Sequence, residues 1–392
     1  MPQPFNQEGL RKAAFQNGRN RAWTGDCHFT PITEEADPNL DVLGDILITG
    51  GAGFLGRYLA KALATCGLKV TVLDNLSCSN STFDCPELQH EQIRCIRGSV
   101  FNRRLLNKLV AEHKTVVHLA SVVGVEETIS HTKRTVENLK GTLNVVGALS
   151  PEHVTLFTSS ADVYGAHSHL YNRAMREDDY FVFQNAKVNR WVYPHVKALE
   201  ENLITNSVAR SVVIRVFNTY GPAMDFPAPK RVIPHFIDRV LKGQSLNLSG
   251  DGSQHRSFCY VEDMIRGMVL ALAYTASQAA PFKQCFNLGT PDSITMRELA
   301  DKIVATALDV GLLDEPCPIR PNAFHYSQGF DDSWSRVPDI TRAKTMLGFS
   351  SSVSLSDGLK VTLTYYRNLL GRSAAEQPAV QSVSGDAAAC TP

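Results

Sequence analysis

The chain has 392 residues, 43% of them hydrophobic and 20% charged, with 39 Lys and Arg balanced by 39 Asp and Glu. That length allows one large domain or two ordinary ones, and the zero net charge excludes a protein that grips nucleic acid through a broad basic surface. No apolar run reaches the roughly 20 residues that a membrane helix needs.

Residues 1–44 lack both sustained periodicity and the apolar segment of a secretory signal. They read as an extension on the surface or partly disordered. A short apolar run at 45–49 predicts a strand, and 54–66 follows with apolar residues at helical spacing. Residues 69–73 form an apolar run of the kind buried in a parallel sheet. Further strands are expected at 93–97, 115–119, 154–158 and 211–216, with helices near 103–112, 134–149 and 193–207 between them. This alternation predicts an α/β fold, a doubly wound parallel sheet (Rossmann), over about residues 45–220. After Gly221-Pro222 the rhythm breaks into loops, short strands and helices such as 233–242 and 296–308. Residues 221–370 therefore read as a smaller substrate-binding region interleaved with the first, and 371–392 as a disordered tail.

Nine cysteines, at 27, 66, 78, 85, 95, 259, 285, 317 and 390, include no Cys-x-x-Cys. An odd, scattered set fits a reducing compartment, hence the cytoplasm, and excludes a disulfide framework and a zinc site. The twelve histidines show no ligand spacing, so no metal is expected. His113, His118 and His153 read as ordinary strand-end or surface residues.

The run Thr49-Gly50-Gly51-Ala52-Gly53-Phe54-Leu55-Gly56 follows a predicted strand and opens a predicted helix. Gly50 permits a tight turn, Gly53 lets backbone N–H groups approach a pyrophosphate, and Gly56 lets helix and strand pack closely. Asp74 closes the second strand, where a carboxylate accepts hydrogen bonds from the adenosine ribose and repels a 2′-phosphate. NAD is favoured over NADP. A glycine turn needed only for packing is the other reading, and the strand, helix and Asp74 together argue against it.

Tyr193-Pro194-His195-Val196-Lys197 is the single Tyr-x-x-x-Lys in the chain. Residues four apart share a helix face, so the ammonium can lie near the phenol and make a phenolate base accessible. An amphipathic helix with a half-buried Tyr and a solvated Lys is the alternative. The stretch Ser159-Ser160-Ala161-Asp162-Val163-Tyr164-Gly165 ends another strand, and ligands bind at the carboxyl ends of such strands.

In this order TGGAGFLG, HLAS, SSADVYG, YPHVK and RVFNTYGP resemble the extended short-chain dehydrogenase/reductase family of nucleotide-sugar epimerases, dehydratases and decarboxylases. The resemblance covers about residues 45–370. It implies tightly held NAD, Tyr193 as base toward the sugar C4 hydroxyl, Lys197 assisting it and Ser160 as hydrogen-bond partner. It extends the cofactor site to Phe54, Leu55, Asn75, Ser99, Val100, Leu119, Ala120 and Ser121. It also implies a homodimer through the helices near 134–149 and 193–207.

Within the family, the stretches 250–261 and 331–340 are similar to UDP-glucuronate decarboxylases, as are 171–197 and 326–330. This similarity implies a UDP-sugar substrate. It puts Asn218, Arg231 and Arg256 near the diphosphate, adds Tyr326, and places Arg336 beside the sugar carboxylate. Otherwise Arg231 and Arg256 are solvated loop cations, and Arg336 caps a helix or pairs with Asp339. Where those decarboxylases usually carry Thr-Ser-Glu-Val-Tyr-Gly, this chain has Ser160-Ala161-Asp162-Val163-Tyr164-Gly165, with the carboxylate one methylene shorter. Asp162 is expected to position water or a proton for C5. Decarboxylation of UDP-glucuronate to UDP-xylose or UDP-4-keto-pentose is the leading reading. A C4 epimerase of a UDP-hexose or UDP-hexuronic acid follows, then a 4,6-dehydratase. A non-catalytic dinucleotide-binding sensor is the reading outside enzymes.

Overall fold

Seven parallel strands form the central sheet of the computed structural model, which describes residues 40–78, 81–183, 189–224, 231–322 and 334–375. They are β1 (Ile46–Thr49), β2 (Val70–Asp74), β3 (Ile93–Arg97), β4 (Thr115–His118), β5 (Val154–Ser160), β6 (Arg210–Val216) and β7 (Lys283–Leu288). Their order across the sheet is β7-β6-β5-β4-β1-β2-β3, with every pair parallel. All residues of β1, β2 and β4 are buried, as expected of strands covered on both faces. β3 closes one edge, where Arg94 and Arg97 are exposed and discourage pairing with another chain.

The helices that matter for the site are α1 (Phe54–Thr65), α2 (Arg103–Glu112), α3 (Thr132–Ala148), α4 (Val192–Thr205), α5 (Val232–Leu241), α6 (Val261–Ala276) and α7 (Met296–Asp309). The doubly wound fold expected from the sequence is present. The strand order reverses between β1 and β4, and a crevice opens outside the carboxyl ends of the strands at such a reversal.

Three differences from the sequence reading have physical causes. α6 and β7 had no sequence forecast. α6 is buried nearly all round and so lacks the one-sided periodicity that marks a surface helix. β7 opens with Lys283 and Gln284, which hide its strand character. Residues 40–44 belong to the core rather than to a surface extension. Leu40 and Leu43 are buried in the main apolar cluster, and Thr115 Oγ1 donates to the Leu43 carbonyl at 2.6 Å. Helix Leu355–Ala375 also runs a few residues into the expected tail. Residues 1–39, Tyr326 and 376–392 lie outside the described residues.

Among the described residues no helix is long and apolar enough to cross a membrane. The seven described cysteines are free thiols.

Candidate active site

The loop after β1 is built by exclusion of side chains. Gly50 has φ +71°, and a Cβ there would stand 2.6 Å from the Ala120 nitrogen. A Cβ on Gly56 would stand 2.5 Å from the Gly50 carbonyl oxygen, so the first turn of α1 presses directly on the loop. α1 begins at Phe54 with no side-chain cap and no acidic residue in its first turn, which leaves its N–H groups available to an anion. Asp74 is buried at the end of β2. Its two oxygens accept the N–H groups of Ala52 (3.1 Å) and Leu76 (2.8 Å). Burial pushes this carboxyl up, against the pull of those two N–H groups.

The other residues implied for the cofactor lie along the same carboxyl edge. Gly53, Leu55 and Phe54 are at the β1–α1 junction, Asn75 follows β2, and Ser99 and Val100 follow β3. Leu119, Ala120 and Ser121 follow β4, where the Asn138 side chain of α3 braces both backbone groups of Val122. A glycine cradle, an uncapped helix start and a buried carboxylate facing it are the donor set that a dinucleotide requires, so the residues fit NAD.

Tyr193 and Lys197 sit one turn apart on α4, both buried. The Tyr193 phenol has Ser160 as its hydrogen-bond partner. Burial raises the phenol above its ordinary range, and the charges of Asp162 and Glu200 add to this, while Arg231 and Ser160 pull it down. Lys197 Nζ lies 5.9 Å from the centre of the Tyr193 ring and donates to the Thr158 carbonyl at 3.2 Å. The lysine is therefore enclosed, over the rings of Phe157 (4.6 Å) and Tyr193, and not solvated.

Behind Lys197 runs a polar chain that the sequence reading missed. Lys197 Nζ pairs with Glu200 Oε2 at 3.1 Å, and Thr142 donates to Glu200 Oε1 at 2.5 Å. Thr142 Oγ1 is 3.1 Å from His118 Nε2, and His118 Nδ1 is 2.7 Å from Thr49 Oγ1. Because Thr142 gives its proton to the carboxylate, the imidazole must donate from Nε2 and accept from Thr49 at Nδ1. The chain thus links α4 to the residue before the glycine loop. His113, His118 and His153 are all buried at strand ends, His118 closing β4 and His153 directly preceding β5, so the strand-end alternative holds and the surface one does not.

Burial holds His118 down at about 4, with Lys197 adding to this and Glu200 opposing it. A histidine titrating near 6.5 when unfolded then takes up its proton before the folded form does. Stability should fall as pH drops from about 6.5 to about 4, by roughly 3 kcal/mol across that window. Thermal melts across this range should show a steeper fall for the native protein than for His118→Asn.

Asp162 sits in the turn Ala161–Tyr164 just after β5. That turn is pinned from below. Tyr164 Oη donates to Asn287 Oδ1 (2.7 Å) and accepts from Arg215, which pairs with Glu201 of α4. Asp162 Oδ1 receives two guanidinium groups, Arg190 Nη2 and Arg336 Nη1, each at 2.8 Å. Burial alone would raise this carboxyl. Arg190, then Arg336 and Arg256, outweigh it and hold the carboxyl far below the usual range. The sequence reading weighed Asp339 as a partner for Arg336, but Asp339 pairs with Arg176 and caps Thr341. Arg190 was not singled out, although it precedes Tyr193 by three residues, a spacing that brings two side chains to one face.

The remaining expected residues border this cluster. Asn218 Nδ2 donates to the Ser257 carbonyl at 3.0 Å and so joins the segment after β6 to strand His255–Ser257. Arg256 on that strand is buried and donates to the carbonyls of His255 and Trp334, which replaces the reading of a solvated loop cation. Arg231 precedes α5 and projects its charge onto Tyr193.

Known proteins resemble this chain. Residues 46–289 match the family model described as the NAD dependent epimerase/dehydratase family. A UDP-N-acetyl-alpha-D-glucosaminuronate decarboxylase of Bacillus cytotoxicus is 31% identical over 332 residues, 82% of this chain and 98% of that protein. The UDP-glucuronic acid decarboxylase 1 of Danio rerio is 31% identical over 342 residues, 85% of this chain and 75% of that protein. A crystal structure of the UDP-glucuronic acid 4-epimerase of Bacillus cereus, with UDP-glucuronic acid and NAD, superposes with a TM-score of 0.69 at 25% identity. It covers 83% of this chain and 99% of its own. The glycine cradle, the Tyr193–Lys197 pair and these matches lead to one assignment: the chain belongs to the NAD dependent epimerase/dehydratase family.

Proposed function

We propose that this protein is an NAD-dependent UDP-uronate decarboxylase that converts UDP-glucuronate through a 4-keto sugar to UDP-xylose, with some UDP-4-keto-pentose released. The observation that carries this reading is the convergence of two guanidinium groups, Arg190 and Arg336, on the carboxylate of Asp162, close to Tyr193. A site with more cations than anions suits a sugar that brings a carboxylate of its own. The decarboxylase relatives act on UDP-linked uronates, by their names.

In this reading residues 45–220 bind NAD and 221–370 supply most contacts to the nucleotide sugar. Gly50, Gly53, Phe54, Leu55, Gly56, Asp74, Asn75, Ser99, Val100, Leu119, Ala120 and Ser121 hold the cofactor, which when bound accepts hydride from C4 and returns it. Tyr193 removes the C4 hydroxyl proton, Ser160 holds that oxygen, and the charge of Lys197 favours the phenolate. The C4 ketone turns the C5 carboxylate into that of a β-keto acid. The bond from C5 to the carboxylate breaks, its electron pair enters the enolate, and carbon dioxide leaves. Arg336 orients the carboxylate, and Asp162 orients a water that protonates C5, with solvent replacing that proton. Tyr193 then returns its proton to the C4 oxygen. Asn218, Arg231 and Arg256 take the diphosphate end.

Mass spectrometry of the sugar nucleotide after incubation with UDP-glucuronate and NAD is the direct test. The expected product is lighter by carbon dioxide. A product of unchanged mass, inverted at C4, would establish the second reading, an epimerase, which the likeness to the Bacillus cereus enzyme favours. A 4,6-dehydratase stands third, since Ala161-Asp162 supplies one carboxylate there. Buried Tyr193 and Lys197 beside half-buried Ser160 argue against a sensor.

Asp74 should decide cofactor choice. Asp74→Ala is expected to weaken NAD by about tenfold, the loss of one charge-assisted hydrogen bond, and to relax rejection of NADP. Titrations with both dinucleotides check this, and unchanged selectivity would remove Asp74 from the ribose site.

A homodimer and a cytoplasmic location complete the proposal. Val136 and Leu143, seven residues apart on α3, and Leu199 on the adjacent α4 leave about half of each side chain exposed. Such an apolar face suits a two-fold partner. The free thiols suit a reducing compartment.

A further inference from the structure

We propose that Arg190 is a positioning residue that keeps Asp162 in place once Arg336 has passed from Asp162 to the substrate's carboxylate. The inference rests on the decarboxylase reading above and concerns how the site is shared between two carboxylates.

Arg190 and Arg336 converge on one oxygen, Asp162 Oδ1, yet they are held differently. Arg190 lies in the turn Asn189–Trp191 that leads into α4, its side chain only 3% exposed and its guanidinium 5.6 Å from the centre of the Trp191 ring. It is carried by the segment that carries Tyr193. Arg336 lies on the two-residue strand Ser335–Arg336, beside strand His255–Ser257, and its side chain is more open, at 11%. With no substrate, Asp162 occupies the guanidinium that a uronate would need.

An entering carboxylate can therefore take Arg336 by exchange, whereas Arg190 is enclosed and stays with Asp162. A neutral hexose offers no such exchange and leaves Asp162 closed on both arginines. Among the described residues, the groups facing Asp162 are Ser160 from β5, Arg190 and Tyr193 from the α4 segment, and Arg256 and Arg336 from the paired short strands. Arg231, Lys197 and Glu200 face Tyr193 beyond it. After the exchange a second anion stands near Asp162 and one of its two direct cations is gone. Burial then favours the protonated form, opposed by Arg190 at contact distance and Arg256 farther off. A protonated Asp162 no longer holds water in the orientation that protonates C5.

The test is the pH dependence of turnover on UDP-glucuronate in the NAD-loaded protein, with Arg190→Gln and Arg190→Lys. Arg190→Gln should lose activity by about tenfold at mildly alkaline pH, and by up to about tenfold more for each unit of acidification. The KM for UDP-glucuronate should change little, since Arg336 still receives the carboxylate. Arg190→Lys keeps the charge and should recover most of the pH dependence. In an Asp162→Asn background, Arg190→Gln should add no pH dependence. A wild-type product lighter by carbon dioxide, together with an Arg190→Gln loss equal at every pH, would show a purely structural role and overturn the inference alone. A wild-type product of unchanged mass would overturn the decarboxylase reading, and this inference with it.

Discussion

Tyr193→Phe should lower kcat by about two to four orders of magnitude while leaving the fold and NAD binding in place. The phenol is buried, and burial holds it as a neutral phenol against the pull of Arg231 and Ser160. It can become a base only where its neighbours stabilise the phenolate: Ser160 is its hydrogen-bond partner, Arg231 acts on it through its charge, and Lys197 lies 5.9 Å from its ring centre. Phenylalanine keeps the ring volume and loses only the oxygen, so packing around α4 should survive. The change in nicotinamide absorbance on adding UDP-glucuronate should vanish, while dinucleotide titrations and thermal melts stay near those of the native protein. Near-normal turnover would remove Tyr193 from the proton transfer. The native enzyme should also gain rate with rising pH, because its base must first lose a proton.

The second large effect is expected at Arg336 and separates the two classes of substrate. A planar guanidinium holds a carboxylate through two parallel hydrogen bonds, which an ammonium or a water cannot imitate. Removing one partner of an enclosed charge pair costs about 2–5 kcal/mol, so Arg336→Ala should weaken UDP-glucuronate by at least about thirtyfold. UDP-glucose, without that carboxylate, should bind the variant almost as it binds the native protein. Equal losses for both nucleotides would mean that Arg336 only braces Asp162. The companion change, Asp162→Asn, should let oxidation at C4 proceed and then accumulate the decarboxylated enolate beside reduced cofactor, because C5 waits for its proton. It should also lower the melting temperature, since Arg190 and Arg336 would face each other across a neutral amide.

Much of this site was readable in the chain because it is local. Gly50, Gly53 and Gly56 announce a turn in which Gly50 and Gly56 leave no room for a side chain, and Asp74 ends an apolar run at a fixed distance. Tyr193 and Lys197 announce themselves through helical spacing. The remainder depends on residues that meet only after folding. Glu200 is three residues from Lys197 on α4, but Thr142, His118 and Thr49 come from α3, β4 and β1, and none of those three carries a spacing signal. Arg190 and Arg336 reach the same oxygen from positions 146 apart in sequence. The fold shows the same division. Strands β1 to β6 were legible as apolar runs between helices, whereas α6 is buried nearly all round and β7 begins polar, so neither presents the pattern on which such reading relies.

β7 also has a bearing on how the protein can be made. β6 is finished by Val216, yet its outer neighbour is not synthesised until Lys283–Leu288, with α6 in between. During translation the backbone of Arg210–Val216 therefore waits unpaired at the rim of a nearly complete sheet while some seventy further residues are added. An open strand of that kind pairs readily with other nascent chains. The lower half of the sequence is thus no appendix to a finished cofactor domain. It supplies the last rail of the sheet, and a fragment cut after Tyr220 would carry a permanently adhesive edge.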